Sequence, residues 1–228
     1  MTRPDILEAL DRLDDLTRRL RRECPWDREQ DERSIVPHTV EEAYELADAA
    51  QRGDDVKLLD ELGDVLFQVH FLSLLMEERG AGDLAAVAEH CRQKLIRRHP
   101  HVFGELEVED AAEVLANWDE IKRAEAGREP GVFGDVPENL PGPLYARKLQ
   151  RRAASAGRHE AAEDPQEALA RLRGAGDPDA RAAALGDALF ALVDLARRER
   201  IDPELALRAA ADRFRARAEA RSATTRSP

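Results

Sequence analysis

The sequence predicts an all-α protein, a helical bundle built around an antiparallel helix hairpin. Aromatic residues are only 4% of the 228, while Ala, Leu, Glu and Arg dominate. Those side chains lose little rotamer freedom in a helix. Apolar residues recur at steps of three and four, the period of a helix face. Two such stretches are joined by Arg52-Gly53-Asp54-Asp55, which reads as a tight helix-to-helix turn.

The first helix is expected over residues 5–22, with Ile6, Leu10, Leu13, Leu16 and Leu20 as its stripe. Cys24-Pro25-Trp26-Asp27 breaks the pattern. A second helix is expected from Pro37, a residue suited to a first helical turn, to about Arg52. The third runs over 55–79, and Leu58, Leu62, Val65, Val69, Leu72 and Met76 read as its packed seam. Gly80-Ala81-Gly82-Asp83 separates it from a fourth helix over 84–98. After a loop at His99 to Gly104, a fifth is expected over 110–126.

Residues 127–143 are rich in Gly and Pro and read as a linker. Helical pattern resumes over 144–220, and the polar 221–228 reads as a disordered tail. The halves echo each other. Leu62-Gly63-Asp64-Val65-Leu66-Phe67 resembles Leu185-Gly186-Asp187-Ala188-Leu189-Phe190. Two related units, 1–126 and 144–220, are therefore expected to flank the linker. The second is degenerate in acids: Ala184 stands at the place of Glu61, and of the acids only Asp187 clearly survives.

The formal net charge of -12 disfavours binding to nucleic-acid backbones. Two cysteines, Cys24 and Cys91, are too few for a disulfide framework. With no signal-peptide pattern at the N-terminus, they suggest a reducing, cytoplasmic setting. No stretch approaches ~18 apolar residues, so no membrane span is expected.

The chemistry concentrates in the hairpin. Glu41, Glu42 and Glu45 lie within one helical turn, and Glu61 and Asp64 share a face of the next helix. Glu45 and Glu61 are each eight residues from Gly53, and Glu42 and Asp64 are each eleven. At a rise of ~1.5 Å per residue, these pairs stand at equal heights in an antiparallel hairpin. Taken singly, each acid reads as a solvated side chain. As a matched set, they read as a cluster that needs a cation, because buried like charges are costly without one. All-oxygen ligands suit Mg2+, with Mn2+ as a substitute. No Glu-x-x-His occurs, which argues against a di-iron bundle. Gly63, between the two acids, leaves room for a helix, a ligand or a simple packing contact.

The ordered set of motifs resembles the MazG family of all-α nucleoside triphosphate pyrophosphohydrolases. It comprises Glu23-Cys24-Pro25-Trp26-Asp27-Arg28-Glu29-Gln30, Glu41-Glu42-Ala43-Tyr44-Glu45, Glu61-Leu62-Gly63-Asp64, the run from Lys94 to Gly104, and Asn117-Trp118-Asp119-Glu120-Ile121-Lys122. The resemblance implies hydrolysis of an NTP or dNTP to the monophosphate and pyrophosphate, as nucleotide-pool house-cleaning. It implies that Glu42, Glu45, Glu61 and Asp64 hold Mg2+, with Glu41 as a further ligand or water-positioning base. Lys94, Arg98 and Lys122 would meet phosphate oxygens, and Trp118 the nucleoside. A non-catalytic helical regulatory or nucleotide-binding module retaining the fold is the alternative.

Some features stay with simpler readings. Lys94, Arg97 and Arg98 also complement a helix C-terminus. Cys24 reads as a structural thiol, His70 as a core or interface residue, and the basic run Arg147 to Arg152 as a solvated face. A single hairpin leaves apolar surface uncovered, so a homodimer or higher homo-oligomer is expected.

Overall fold

The structure, a computed structural model, describes residues 2–125, 131–134, 136–158 and 163–225. Every regular element among them is a helix. The chain divides into two compact units, Met1–Arg97 and Arg98–Pro228.

The first unit contains α1 (Arg3–Glu23), α2 (Pro25–Glu29), α3 (Glu32–Arg52), α4 (Asp55–Glu78) and α5 (Leu84–Arg97). The expected hairpin is α3 and α4. Gly53 closes α3 at φ +66°, a left-handed conformation that glycine adopts without strain. The Asp54 carboxylate then accepts the backbone N–H groups of Val56 and Lys57 and starts α4.

Three features differ from the sequence expectation. First, α3 starts at Glu32, and Pro37 lies inside the helix. Asp31 accepts the N–H groups of Arg33 and Ser34 while the Ser34 hydroxyl accepts the N–H of Asp31, so the cap sits five residues earlier. Pro37 forfeits one backbone bond, and the burial of Ile35 against Phe71 and Leu75 offsets that loss. Second, Pro25 to Glu29 forms one helical turn rather than a break, held by Arg21, whose Nη1 donates to the carbonyls of Asp27 and Gln30.

Third, the buried face of α4 is not the expected seam. Glu61, Gln68, Phe71 and Leu75 turn inward, with His70, Ser73 and Leu74, whereas Leu62 and Val69 stay exposed. Helix α3 covers the face that carries Glu61, and α1 covers the lower half of α4. Arg18 pairs with Glu77 and Arg21 with Glu78 across α1 and α4, both bidentate. His70, on the same side, is buried with Nδ1 3.7 Å from Asp14 Oδ1.

The second unit contains α6 (Pro100–Phe103), α7 (Ala111–Ala124), α8 (Gly142–Ser155), α9 (Pro165–Gly174), α10 (Pro178–Arg198) and α11 (Pro203–Thr225). Its hairpin, α9 and α10, packs on Ala168, Ala188 and Ala191. Two expectations shift here. The fifth expected helix, α7, belongs to this unit and packs on α8, so the first unit ends at Arg97. The expected tail is helical through Thr225, because α11 continues there; residues 226–228 lie outside the described residues. Residue 126, where the fifth helix was expected to end, and residues 127–130 and 135 of the expected linker also lie outside them. Among the described residues, no helix is long and apolar enough to cross a membrane.

Candidate functional site

Glu42 and Glu45 stand one turn apart on α3, and Glu61 stands opposite on α4. One carboxylate oxygen from each lies within 4.8 Å of the others. Their settings differ. Glu61 is fully buried, Glu42 is half-buried and Glu45 is exposed. The ring is therefore open on one side and rooted in the protein on the other. Burial pushes the Glu42 carboxyl above the ordinary carboxylate range. The negative charges of Asp64, Glu45, Glu61 and Glu41 push it the same way.

Glu61 shows what the ring lacks. Lys57, one turn earlier on α4, brings Nζ to 2.5 Å from Glu61 Oε1 and 3.2 Å from Asp60 Oδ2. The second oxygen, Oε2, is buried without a hydrogen-bond partner. A buried carboxylate oxygen with no donor is costly. Beside two further carboxylates, it is an arrangement that a hard divalent cation satisfies. The residues present fit such an ion.

Of the other expected ligands, Asp64 is exposed one turn beyond Glu61 and lies outside the ring of three, though its charge reaches Glu42. Glu41 is exposed on α3, with His38 Nδ1 3.8 Å away. Gly63 does not sit under a neighbouring helix, because a methyl group built there meets nothing within 4 Å.

Of the expected phosphate contacts, Lys94 is half-buried on α5. The others lie in the second unit. Arg98 forms a bidentate pair with Glu125, at 2.9 and 2.6 Å. Lys122 Nζ lies 3.8 Å from the centre of the Trp118 ring, a cation–π contact. The Trp118 ring N–H is buried without a hydrogen-bond partner. The sequence reading missed Lys57. A cation four residues before Glu61 was a visible signal for the pairing.

The second hairpin shows the same scaffold without the ring. With Leu62 set on Leu185, Glu45 falls on Ala168 and Glu61 on Ala184. Both alanines are buried, Ala168 completely, and Ala168 joins the core of that hairpin. The surviving acid, Asp187, pairs with Arg171 at 3.2 Å, and Glu163 binds the same guanidinium. Alanine methyl groups thus stand at two of the ring's three places, Pro165 falls at the place of Glu42, and an internal cation pairs with Asp187, the acid that matches Asp64.

Residues 30–103, which span the whole carboxylate hairpin, match the family model described as the MazG nucleotide pyrophosphohydrolase domain. The nucleoside triphosphate pyrophosphohydrolase of Escherichia coli (strain K12) is 37% identical over 226 residues, covering 92% of this chain and 86% of that protein. The chain belongs to the MazG family. A second relative is the nucleoside triphosphate pyrophosphohydrolase/pyrophosphatase MazG of Thermotoga maritima. It is 37% identical over 197 residues, 84% of this chain and 76% of that protein. The all-α fold and the resemblance read from the motifs are both borne out.

Proposed function

We propose that this MazG protein hydrolyses nucleoside triphosphates between the α and β phosphorus atoms, releasing the monophosphate and pyrophosphate, at the carboxylate ring of its first hairpin. House-cleaning of the (d)NTP pool is the cellular role that fits. The single observation that carries the proposed site is the fully buried Glu61 facing Glu42 and Glu45, with one oxygen of each within 4.8 Å of the others.

Glu42, Glu45, Glu61 and Asp64 would hold Mg2+, or Mn2+ in its place. When bound, such an ion lowers the pKa of a coordinated water and neutralises triphosphate oxygens. The protein's own contributions follow from position. Glu61, rooted in the core, fixes one corner of the ring. Glu45 and Asp64, exposed, can move to accept a ligand at little cost. Glu41, also exposed and beside Glu42, orients the attacking water or takes its proton. Lys94 meets phosphate oxygens as charge develops on them. Contacts of Arg98, Trp118 and Lys122 with substrate are proposed on the family resemblance. A phosphate on Arg98 would have to displace Glu125.

A homodimer is proposed on the exposed apolar side of α4, and a cytoplasmic setting on two free cysteines. The experiment for the function is a product-resolved panel of NTPs and dNTPs, including oxidised and deaminated bases, with Mg2+. Pyrophosphate with monophosphate is the expected pair. Orthophosphate instead overturns the assignment of the bond. No product from a folded protein would leave a non-catalytic binding module.

A further inference from the structure

The cations of this protein differ in what holds them. In the second unit, Arg147, Lys148 and Arg151 of α8 line a cavity of about 260 Å3, and each is engaged within the protein. Arg147 donates to Asp202, and Lys148 and Arg151 hold contacts of their own. In the first unit, Lys57 is held by Glu61, the acid that a divalent ion would claim. The charge of Lys57 is therefore committed to Glu61 only while no ion is at the ring.

Lys57 lies on α4 one turn before Glu61, and the two side chains differ in setting. That of Lys57 is 53% exposed and that of Glu61 1%. The ammonium thus reaches the buried carboxylate from solvent, on a flexible four-carbon stem. Asp60, exposed and 3.2 Å away, is its second partner and keeps it beside the ring when Glu61 is taken.

Three carboxylates form the ring, and Glu41 and Asp64 stand close enough to act on Glu42. One divalent ion offsets two negative charges among these five carboxyl groups. A triphosphate brings further negative charge to a surface that is still negative. Lys57 is the cation that the described ion pairs place on the ring. An ammonium has three donors, and its hydrogen bonds to phosphate oxygens are charge-assisted.

We propose that Lys57 is a phosphate-binding residue of the ring: Glu61 passes from Lys57 to the incoming ion, and the released ammonium holds a triphosphate oxygen of the substrate. This rests on the carboxylate ring as the site of (d)NTP hydrolysis. It makes Lys57 a competitor of the free ion and a partner of the ion–nucleotide complex. Removing it therefore moves the two affinities in opposite directions.

The test is calorimetric titration of the full chain, first with Mn2+ alone. Mn2+-saturated protein is then titrated with ATP carrying a methylene bridge between the α and β phosphorus atoms, which the proposed reaction does not cleave. Lys57→Met should tighten Mn2+ about three- to ten-fold and weaken the analogue about ten-fold or more. Should the metal-free variant fail to fold, saturation with Mn2+ gives Glu61 its cation and keeps the second titration measurable. Lys57→Gln, which retains a donor for Glu61, then supplies the first, with shifts in the same two directions. A variant that tightens both ligands, or leaves the analogue unchanged, makes Lys57 a competitor only. One that weakens both makes it a support for Glu61. Either result overturns the proposal, as does a parent that binds Mn2+ but not the analogue. A parent that binds neither overturns the ring as a metal site, and the role of Lys57 falls with it.

Discussion

Lys57 Nζ stands 2.5 Å from Oε1 of the fully buried Glu61, so the ring's innermost acid has a counter-ion from its own helix. The contact raises the Lys57 pKa, first through its hydrogen bond to Glu61 and then through that to Asp60. A metal ion at Glu61 must share or displace this ammonium. Lys57→Met should therefore lower the melting temperature in EDTA, because Glu61 is left without a cation. The same change should tighten Mn2+ binding about three- to ten-fold, since a competitor has gone. Melting curves with and without Mn2+ check both shifts. A variant that loses metal affinity would make Lys57 a supporting group rather than a competitor.

Glu42 carries the opposite strain. Its carboxyl is raised by burial and by four neighbouring acids. A raised carboxylate stabilises the fold below its unfolded pKa and loses that contribution as pH rises through the folded value. In EDTA at pH 7, Glu42→Gln should thus melt higher than the parent. The gap should close on acidification to about pH 4, near the ordinary carboxylate range. With Mg2+ the order should reverse, because only the parent gains from the ion. A lower melting point for Glu42→Gln in EDTA would show that Glu42 is not strained.

The hairpin and its acids were legible because two signals agreed: helical period on both sides of Gly53, and acids at matched distances from it. The start of α3 was not legible from Pro37, since a strong cap at Asp31 outweighed the cost of an internal proline. The inward face of α4 was not legible from apolar spacing. That face carries Glu61 and Gln68, and polar residues turned to the core are invisible to a hydrophobic pattern. The basic face of α8 read as solvated because a cavity depends on chain brought in from outside the helix.

Gly63 separates a packing role from a functional one. A methyl group there meets nothing within 4 Å, and glycine inside a helix costs ~1 kcal/mol relative to alanine. Gly63→Ala should therefore stabilise the isolated chain by up to that amount in chemical denaturation. If turnover also falls, the space is needed by substrate or by a second copy. Unchanged turnover would reduce Gly63 to sequence drift on an open surface.

The two hairpins give an internal control for the site. Asp64 and Asp187 occupy matching places, but Asp187 already has Arg171 as its cation, and alanines stand where Glu45 and Glu61 would be. Asp64→Asn should cut turnover about a hundred-fold or more, the scale on which one charge-stabilising group acts. Asp187→Asn should leave turnover within about two-fold and cost little stability, because its pair with Arg171 is exposed. Equal losses in the pair would overturn the assignment of a single active hairpin.

The assembly is tested on the outer side of α4. Val56 is 82% exposed and Leu59 75%, and Leu62, Leu66 and Val69 continue the row at helical spacing. A row of this kind on the helix that carries Glu61 and Asp64 suits burial against a second copy. Leu59→Glu should shift the sedimenting species from dimer to monomer, because burying an unpaired carboxylate in an apolar contact is costly. Turnover measured on the same samples adds a second readout. A fall with monomer formation would mean that the ring needs its partner, whereas full activity in the monomer would confine the chemistry to one chain. A parent protein that sediments at monomer mass would remove the dimer altogether.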